Sequence, residues 1–522
     1  MSFRPSRREA LAVLLSGILA RPVMAAVPPA EGLQLGSPQP FSFESLVSFA
    51  GLAAKAPYMP PVVREADLLE RLDFPEHIQI TYRPDRTLWA DQAYPVRLFH
   101  LGKFFKEPVS IHLVEEGQAR EIRYSTDLFT FGPKAAFAKS LPADMGFSGF
   151  RVMSTDPRTD WLAFLGASYF RSAGELDQYG LSARGIAVDS GLSTPEEFPR
   201  FTDFYIEEGK DEVVISALLD GPSVTGAYRF RCRHPKGVLM DVEARLFARN
   251  DIQRLGIAPL TSMFWYSEMN RNQEDAADWR PEIHDSDGLS IWTGTGERLW
   301  RPLDNPPRVI TNSFVDKDPK GFGLLQRDRS FANYEDDGVF YEKRPSVWVE
   351  PLGTWGAGAV QLIEITTDAE IHDNVVAYWI PEQPVRKGDA LAFDYRLHWV
   401  AQEPFPPSAG RVISTRRGRA GQPGETKVPG VKFAVDFAGG DLGKYTEADK
   451  DGPAPVITVS RGTLVNPYAL RVKGTESWRI VFDLVVEGPE PVDLRAYLKL
   501  PDGTALTETW LSQYFARTRR TG

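Results

Sequence analysis

The sequence predicts an all-β protein, a large N-terminal β-sandwich followed by a smaller immunoglobulin-like one, and three observations carry this. Apolar residues alternate with polar ones over long stretches. Met240, Val242, Ala244, Leu246 and Ala248 alternate with Asp241, Glu243, Arg245, Phe247 and Arg249, and Leu391, Phe393, Tyr395, Leu397 and Trp399 alternate with Asp394, Arg396 and His398. Such a period of two puts one face of a strand in a core and the other toward solvent. Turn signals such as Pro-Lys-Gly and Gly-Pro-Ser separate these runs, and helical spacing is confined to the first hundred residues.

Taken in order, residues 1–26 join a basic start (Arg4, Arg7, Arg8), an apolar stretch and a small-residue exit, which is the pattern of a secretory signal. The Arg7-Arg8 pair suggests the twin-arginine type. Residues 1–25 carry a net +3, so their removal leaves a formal charge of −13 in place of −10. That acidity argues against nucleic acid as a partner, because phosphate contacts need clustered Lys and Arg.

Two short helices come next. One has Leu46, Ala50 and Ala53 on one face with Ser42 as N-cap and Pro57 as stop, and the other lies around 66–72. From about 77 the strand pattern takes over. Cys232 alternates into a core with Tyr228 and Phe230, and as the single cysteine it allows neither a disulfide within the chain nor a CxxC metal site. GFGLLQ at 321–326 is an incomplete GxGxxG and reads as a turn.

The domain reading is therefore 27–400 for the large sandwich, 401–410 (AQEPFPPSAG) as linker, and 411–522 for the immunoglobulin-like module. Its strands are marked by Val431–Phe437, Trp478–Val486 and Val492–Leu500.

Chemistry concentrates in the first module. Glu370, His372, Asp373 and Asn374 form one acidic-histidine cluster, and Glu282, His284, Asp285 and Asp287 form another. Paired carboxylates perform general acid and base work when their surroundings hold one protonated and the other ionised. Polar strand ends are the competing account. Eight of the twelve tryptophans fall between Trp265 and Trp399, and aromatic faces stack on sugar rings, so two or three should line a groove, Trp279 and Trp355 foremost. His284, His372, Asp287 and Asn374 complete the expected substrate contacts. The His-Asp dipeptides also admit a metal-dependent hydrolase, but their strand context gives it poor support, so neither metal nor cofactor is expected. Asp316 with Asp318, and Asp336 with Asp337, read as solvated loops rather than Ca²⁺ ligands.

The stretches FLGASYFRSAGELDQYGLSARGIAVDSG (164–191), GIAPLTSMF (256–264), RPEIHDSDGL (280–289), GFGLLQRDR (321–329) and the long run 341–379 ending TTDAEIHDNVVAYW resemble the periplasmic glucan biosynthesis proteins of the MdoG/MdoD (OpgG/OpgD) type. The twin-arginine leader points to the D type. The resemblance implies a galactose mutarotase-like β-sandwich joined to an immunoglobulin-like domain, in the periplasm. It further implies work on osmoregulated glucans with a β-1,2-linked backbone, as an inverting endo-β-1,2-glucanase. Cyclising transglycosylase and non-catalytic scaffold for the inner-membrane synthase stay open, as does a homodimer. Carried over by motif, Asp373 is the general acid, Asp285 the base or part of a water relay, and Glu370 a nearby acid with no role attached.

Overall fold

The computed structural model describes residues 33–271, 278–422, 424–425 and 428–516. The expected signal and the basic tail beyond Ala516 lie outside them. Strands dominate, with few and short helices, as expected. Among the described residues no helix is long and apolar enough to cross a membrane.

The contacts divide the chain into two interleaved units, not at 401–410. One comprises residues 1–173, 182–258 and 383–397, the other 174–181, 259–382 and 398–522.

In the first unit one sheet runs in the order Gln39–Pro40, Gln118–Glu121, Ser110–Glu115, Arg200–Glu208, Val213–Asp220, Val224–Arg233, Val238–Ala248, Ala390–Val400. The Val238–Ala248 strand buries every second residue, as its sequence predicts. Its outward residues form cross-strand ion pairs, Glu243 with Arg229, Asp241 with Arg233 and Arg396, and Arg245 with Asp394. A second sheet includes Val96–Phe99, Gly149–Met153, Asp160–Leu165 and Tyr169–Ser172. Phe164 stands at the core, its ring 5.2–6.4 Å from those of Phe150, Phe170, Phe201, Phe204 and Phe230. Burying such rings supplies most of the driving force for this packing. Cys232, on the Val224–Arg233 strand of the first sheet, is fully buried, and burial pushes its thiol pKa up, which makes it inert packing.

The helix spans Phe43–Ala53, with a capping box in which the Ser45 amide donates to Ser42 Oγ and the Ser42 amide donates to Ser45 Oγ. Phe43, Leu46 and Ala50 are its buried face. At the other end Arg249 donates to the carbonyls of Ala53 and Ala56, at and just beyond the last helical turn. The next helix is Ala66–Glu70.

The second unit holds a sheet ordered Ser346–Pro351, Gly321–Leu325, Gly288–Trp292, Arg298–Pro302, Thr509–Tyr514, Val492–Lys499, Ala454–Val459. GFGLL is thus a strand, not the turn its glycines suggest. A Cβ on Gly321 would lie 2.5 Å from the Trp348 indole nitrogen, and one on Gly323 would lie 2.3 Å from the Val347 carbonyl oxygen. Glycine is required here because a neighbouring strand and its tryptophan press close.

Beyond Arg411, four strands (Arg411–Arg419, Val431–Ala438, Trp478–Val485, Thr463–Arg471) form their own sheet, which packs on the three C-terminal strands of the larger one through Phe433, Phe482 and Trp510. The smaller layer does not close on itself. Thr509–Tyr514 continues in parallel pairing onto Arg298–Pro302, Leu299 opposite Thr509 and Trp300 opposite Trp510. Segment 401–410 has irregular backbone, but it is tied down. Glu403 is buried against Arg298 and Arg327, and Arg327 also pairs with Glu508 at 2.6 Å and lies 3.6 Å from the Trp300 ring centroid.

Candidate active site

The acidic clusters both belong to the second unit, and a short ribbon organises them. Phe264–Tyr266 pairs antiparallel with Ile283–His284, Phe264 opposite His284. One residue farther on, the Asp285 amide donates to the Met263 carbonyl at 2.9 Å. The Asn374 side chain grips the same backbone from elsewhere. Its Oδ1 accepts from the Phe264 amide at 2.8 Å, and its Nδ2 donates to the carbonyls of Phe264 and Ile365 at 2.9 and 2.8 Å. Asp285 and Asp373, 88 positions apart, are therefore each held within one residue of contacts to Met263–Phe264. The 369–374 turn is also hung from Thr367, whose amide and carbonyl bond the Asn305 side chain and whose hydroxyl lies 3.1 Å from His372 Nδ1.

The expected residues separate into three groups. Asp373, His372 and Trp279 are exposed, Trp279 at 71%. Glu370 is half-buried and accepts from the Tyr341 hydroxyl at 2.6 Å and from Arg280 at 2.9 Å. Asp285 is buried in an ion pair with Arg344.

Four of the expected substrate contacts, Asn374, Trp355, His284 and Asp287, are enclosed. Asn374 spends its amide on backbone and is 2% exposed, so it shapes the turn. Trp355 packs its buried ring 6.1 Å from that of Trp379. His284 is fully buried. Asp287, also largely enclosed, accepts from the amides of Arg327 and Asp328 and so organises a loop. Trp348, Trp379 and Trp399 are core, and Trp279 is the one exposed tryptophan of the eight.

Sequence reading missed the cations and the phenol between the carboxylates. The Arg344 guanidinium lies 4.0 Å from the Tyr341 ring centroid, and Arg280 bonds Asp278 at 2.9 Å and Asp336 at 2.6 Å as well as Glu370. A continuous chain of contacts results, Asp285–Arg344–Tyr341–Glu370–Arg280–Asp336. Burial, then the hydrogen bond to Glu370, push the Tyr341 phenol up. Burial would raise Asp336, but the amides of Val339 and Gly338 together with Arg280 outweigh it and hold the carboxyl below its usual range. No spacing rule could expose these links, because each joins segments remote in the chain.

Behind this surface lies a buried layer centred on His284. Gln326 Nε2 donates to the His284 and Tyr341 carbonyls and to the Tyr334 hydroxyl, which leaves Oε1 as the acceptor facing His284 Nδ1 at 3.1 Å. His284 Nε2 faces Glu282 at 3.2 Å. Both ring nitrogens meet acceptors, so the ring is an imidazolium. Burial alone would lower its pKa. The Glu282 hydrogen bond and the charges of Asp287, Glu282 and Glu268 outweigh that and push it up to about 9. Burial raises Asp287 to about 6 and, with the Glu282 charge, Glu268 to about 7.

The site therefore offers an exposed carboxyl (Asp373), a carboxylate pinned by a guanidinium (Asp285) and a phenol–carboxylate pair (Tyr341, Glu370). Among the described residues, no group of three or more His, Cys, Asp or Glu side chains is disposed to hold a metal ion.

Comparison with known proteins now bears on these residues. The family described as periplasmic glucan biosynthesis protein, MdoG, matches residues 41–514. A protein of Ralstonia nicotianae named glucans biosynthesis protein D 2 is 50% identical over 504 residues, 93% of each chain. Glucans biosynthesis protein D of Stenotrophomonas maltophilia is 46% identical over 519 residues, covering 97% of this chain and 96% of its own. Its namesake in Xanthomonas oryzae is 45% identical over 518 residues with the same coverage. Among solved structures a polysaccharide lyase aligns over 72% of this chain and 44% of its own, at 10% identity and a TM-score of 0.22, too low to inform the fold.

Proposed function

The chain belongs to the periplasmic glucan biosynthesis family of the MdoG type, and from that premise we propose that it is an inverting endo-β-1,2-glucanase that sets glucan length in the periplasm. The observation that carries the reading is the shared anchorage of Asp285 and Asp373 on Met263–Phe264. A single linkage lying across that backbone would come near both residues, and would meet the Asp285 carboxyl once Arg344 shifts.

In this mechanism Asp373, exposed at the turn, donates a proton toward the glycosidic oxygen, directly or through a sugar hydroxyl. Asp285, kept ionised by Arg344, draws a proton from the attacking water. Tyr341 and Glu370, bonded to each other, orient a substrate hydroxyl or a water beside them. Trp279 offers an exposed ring for a sugar face. Inversion requires room for a water between the carboxyls, a separation of about 6.5–9.5 Å or more if relays intervene.

The test is to digest linear β-1,2-glucan with the wild-type chain and follow the anomeric protons by NMR. Shortened products released first as the inverted anomer support the reading. Asp373→Asn should remove nearly all cleavage with the fold intact, and retained turnover in that variant refutes the assignment.

A second reading, a glucan-holding scaffold for the membrane synthase, is favoured by one feature. Asp285 is closed off by its ion pair and reaches substrate only if Arg344 shifts. Unchanged chains that nevertheless bind would select it, and longer or cyclic products would select transglycosylation.

A further inference from the structure

We infer that the first unit carries a second, non-catalytic site for a neutral oligosaccharide, a glucan segment distinct from the one at the acidic clusters. The inference rests on the glucan reading above for the identity of the sugar.

A cavity of about 520 Å³ opens between the Phe43–Ala53 helix and the strand face bearing His112, Glu121 and Tyr205. That is within the ~300–1,000 Å³ of small-molecule sites. Helix residues at positions 45, 48, 49 and 52 share the face that lines it. The Tyr205 ring is sandwiched, 4.1 Å from Phe41 and 4.5 Å from His112, both nearly parallel to it. With its faces covered, the residue is only 5% exposed. Its hydroxyl has no hydrogen-bond partner among the described residues, yet the residue lines the cavity. A hydroxyl that opens on a cavity and has no protein partner is available to water or a ligand oxygen.

The remaining lining fits a sugar. Phe49 and the half-exposed Leu52 offer an apolar wall for C–H faces, and Ser48 Oγ donates to Glu44 O, which leaves its lone pairs for a ligand hydroxyl. The fixed charges are two carboxylates, Glu121 and Asp203, against one guanidinium, Arg123, which already lies 3.5 Å from Glu121. A net negative lining repels phosphate and anionic lipid. It accommodates a neutral polyol, to whose hydroxyls carboxylates are strong acceptors. A holding site of this kind would keep a long chain on the protein while another part of it is cut.

The experiment is amide hydrogen exchange on the full chain with added β-1,2-linked glucooligosaccharides. Segments 37–52 and 110–123 should gain protection, and should do so equally in Asp373→Asn. Ser48→Trp, at an exposed helix position, fills the cavity and should abolish that protection while leaving exchange elsewhere unchanged. Tyr205→Phe should raise the half-saturating concentration roughly threefold to tenfold, the worth of one hydrogen bond. Protection confined to 280–288 and 367–376, or protection at 37–52 that survives Ser48→Trp, overturns the inference. Protection at 37–52 without any cleavage of glucan would refute the hydrolase and leave this site standing. Cleavage with 37–52 unprotected would do the reverse.

Discussion

Arg344 and Asp285 form a buried ion pair, 59 positions apart in the chain, with side chains 14% and 6% exposed. Removing one partner of such a pair strands the other charge in a poorly solvated site. Arg344→Ala should therefore lower unfolding free energy by about 3–5 kcal/mol, measured by denaturant titration. Arg344→Lys should recover only part of it, since the ammonium cannot also lie flat over Tyr341 as the guanidinium does. Wild-type stability in the alanine variant would show that Asp285 is already solvated.

Tyr341 gives the clearest separation of chemistry from folding. Its hydroxyl reaches Glu370 at 2.6 Å, and Glu370 has a second partner in Arg280. Tyr341→Phe should leave the thermal midpoint nearly unchanged and reduce glucan turnover by roughly 10–100-fold, the range of a charge-assisted hydrogen bond lost from the reacting chain of contacts. Full activity in that variant would remove the phenol from the mechanism. A matched loss of stability would make it structural.

Much of the fold was legible because strands announce themselves by alternation. The Val238–Ala248 run buries its residues in strict alternation, and the Phe43–Ala53 helix begins at the serine its sequence marks. GFGLL misled because glycine is read as punctuation, whereas here it makes room for Trp348. The acidic clusters were visible as composition, and the roles proposed for Asp285 and Asp373 rest on family resemblance. Their anchorage depends on Asn374, a side chain doing the work of a strand partner, which no periodicity reveals. His284 was read as a substrate contact because it sits in an acidic cluster, whereas its ring is fully buried. A usable signal was present, since Glu282 and His284 are two apart around a strand and so face the same side.

Asn374 makes a third prediction. Its amide satisfies three backbone groups in a site 2% exposed. Asn374→Asp replaces two donated bonds by a carboxylate facing carbonyl oxygens, so it should destabilise more than Asn374→Ala. The alanine variant should lose about 2–4 kcal/mol, with several unmet backbone partners. Both should depress turnover beyond what the folded fraction accounts for, because Asp373 loses its anchor. Denaturant curves paired with activity per folded molecule decide it. Activity that tracks folded fraction alone would detach the turn from catalysis.

The buried layer sets the pH dependence of stability, and its sign follows from where each proton sits. His284 holds its proton to about pH 9 in the folded chain, against an ordinary 6.5. Between those values the unfolded chain releases the proton first, so the folded state binds more protons and loses stability as pH rises. Asp287, raised to about 6, and Glu268, raised to about 7, shift in the same direction. Their protonated forms are favoured by folding below those values, and ionisation costs stability above them. The thermal midpoint should thus fall steadily from pH 5 to pH 9.5, with the part above pH 7.5 belonging to His284. In His284→Gln, which cannot titrate, the midpoint should be lower at neutral pH, where Glu282 and Asp287 lose their cation. It should also be nearly flat between pH 7.5 and 9.5. Calorimetric scans of both proteins across that range provide the check, and an equal alkaline slope in the two would mean that the imidazole is neutral in the folded chain.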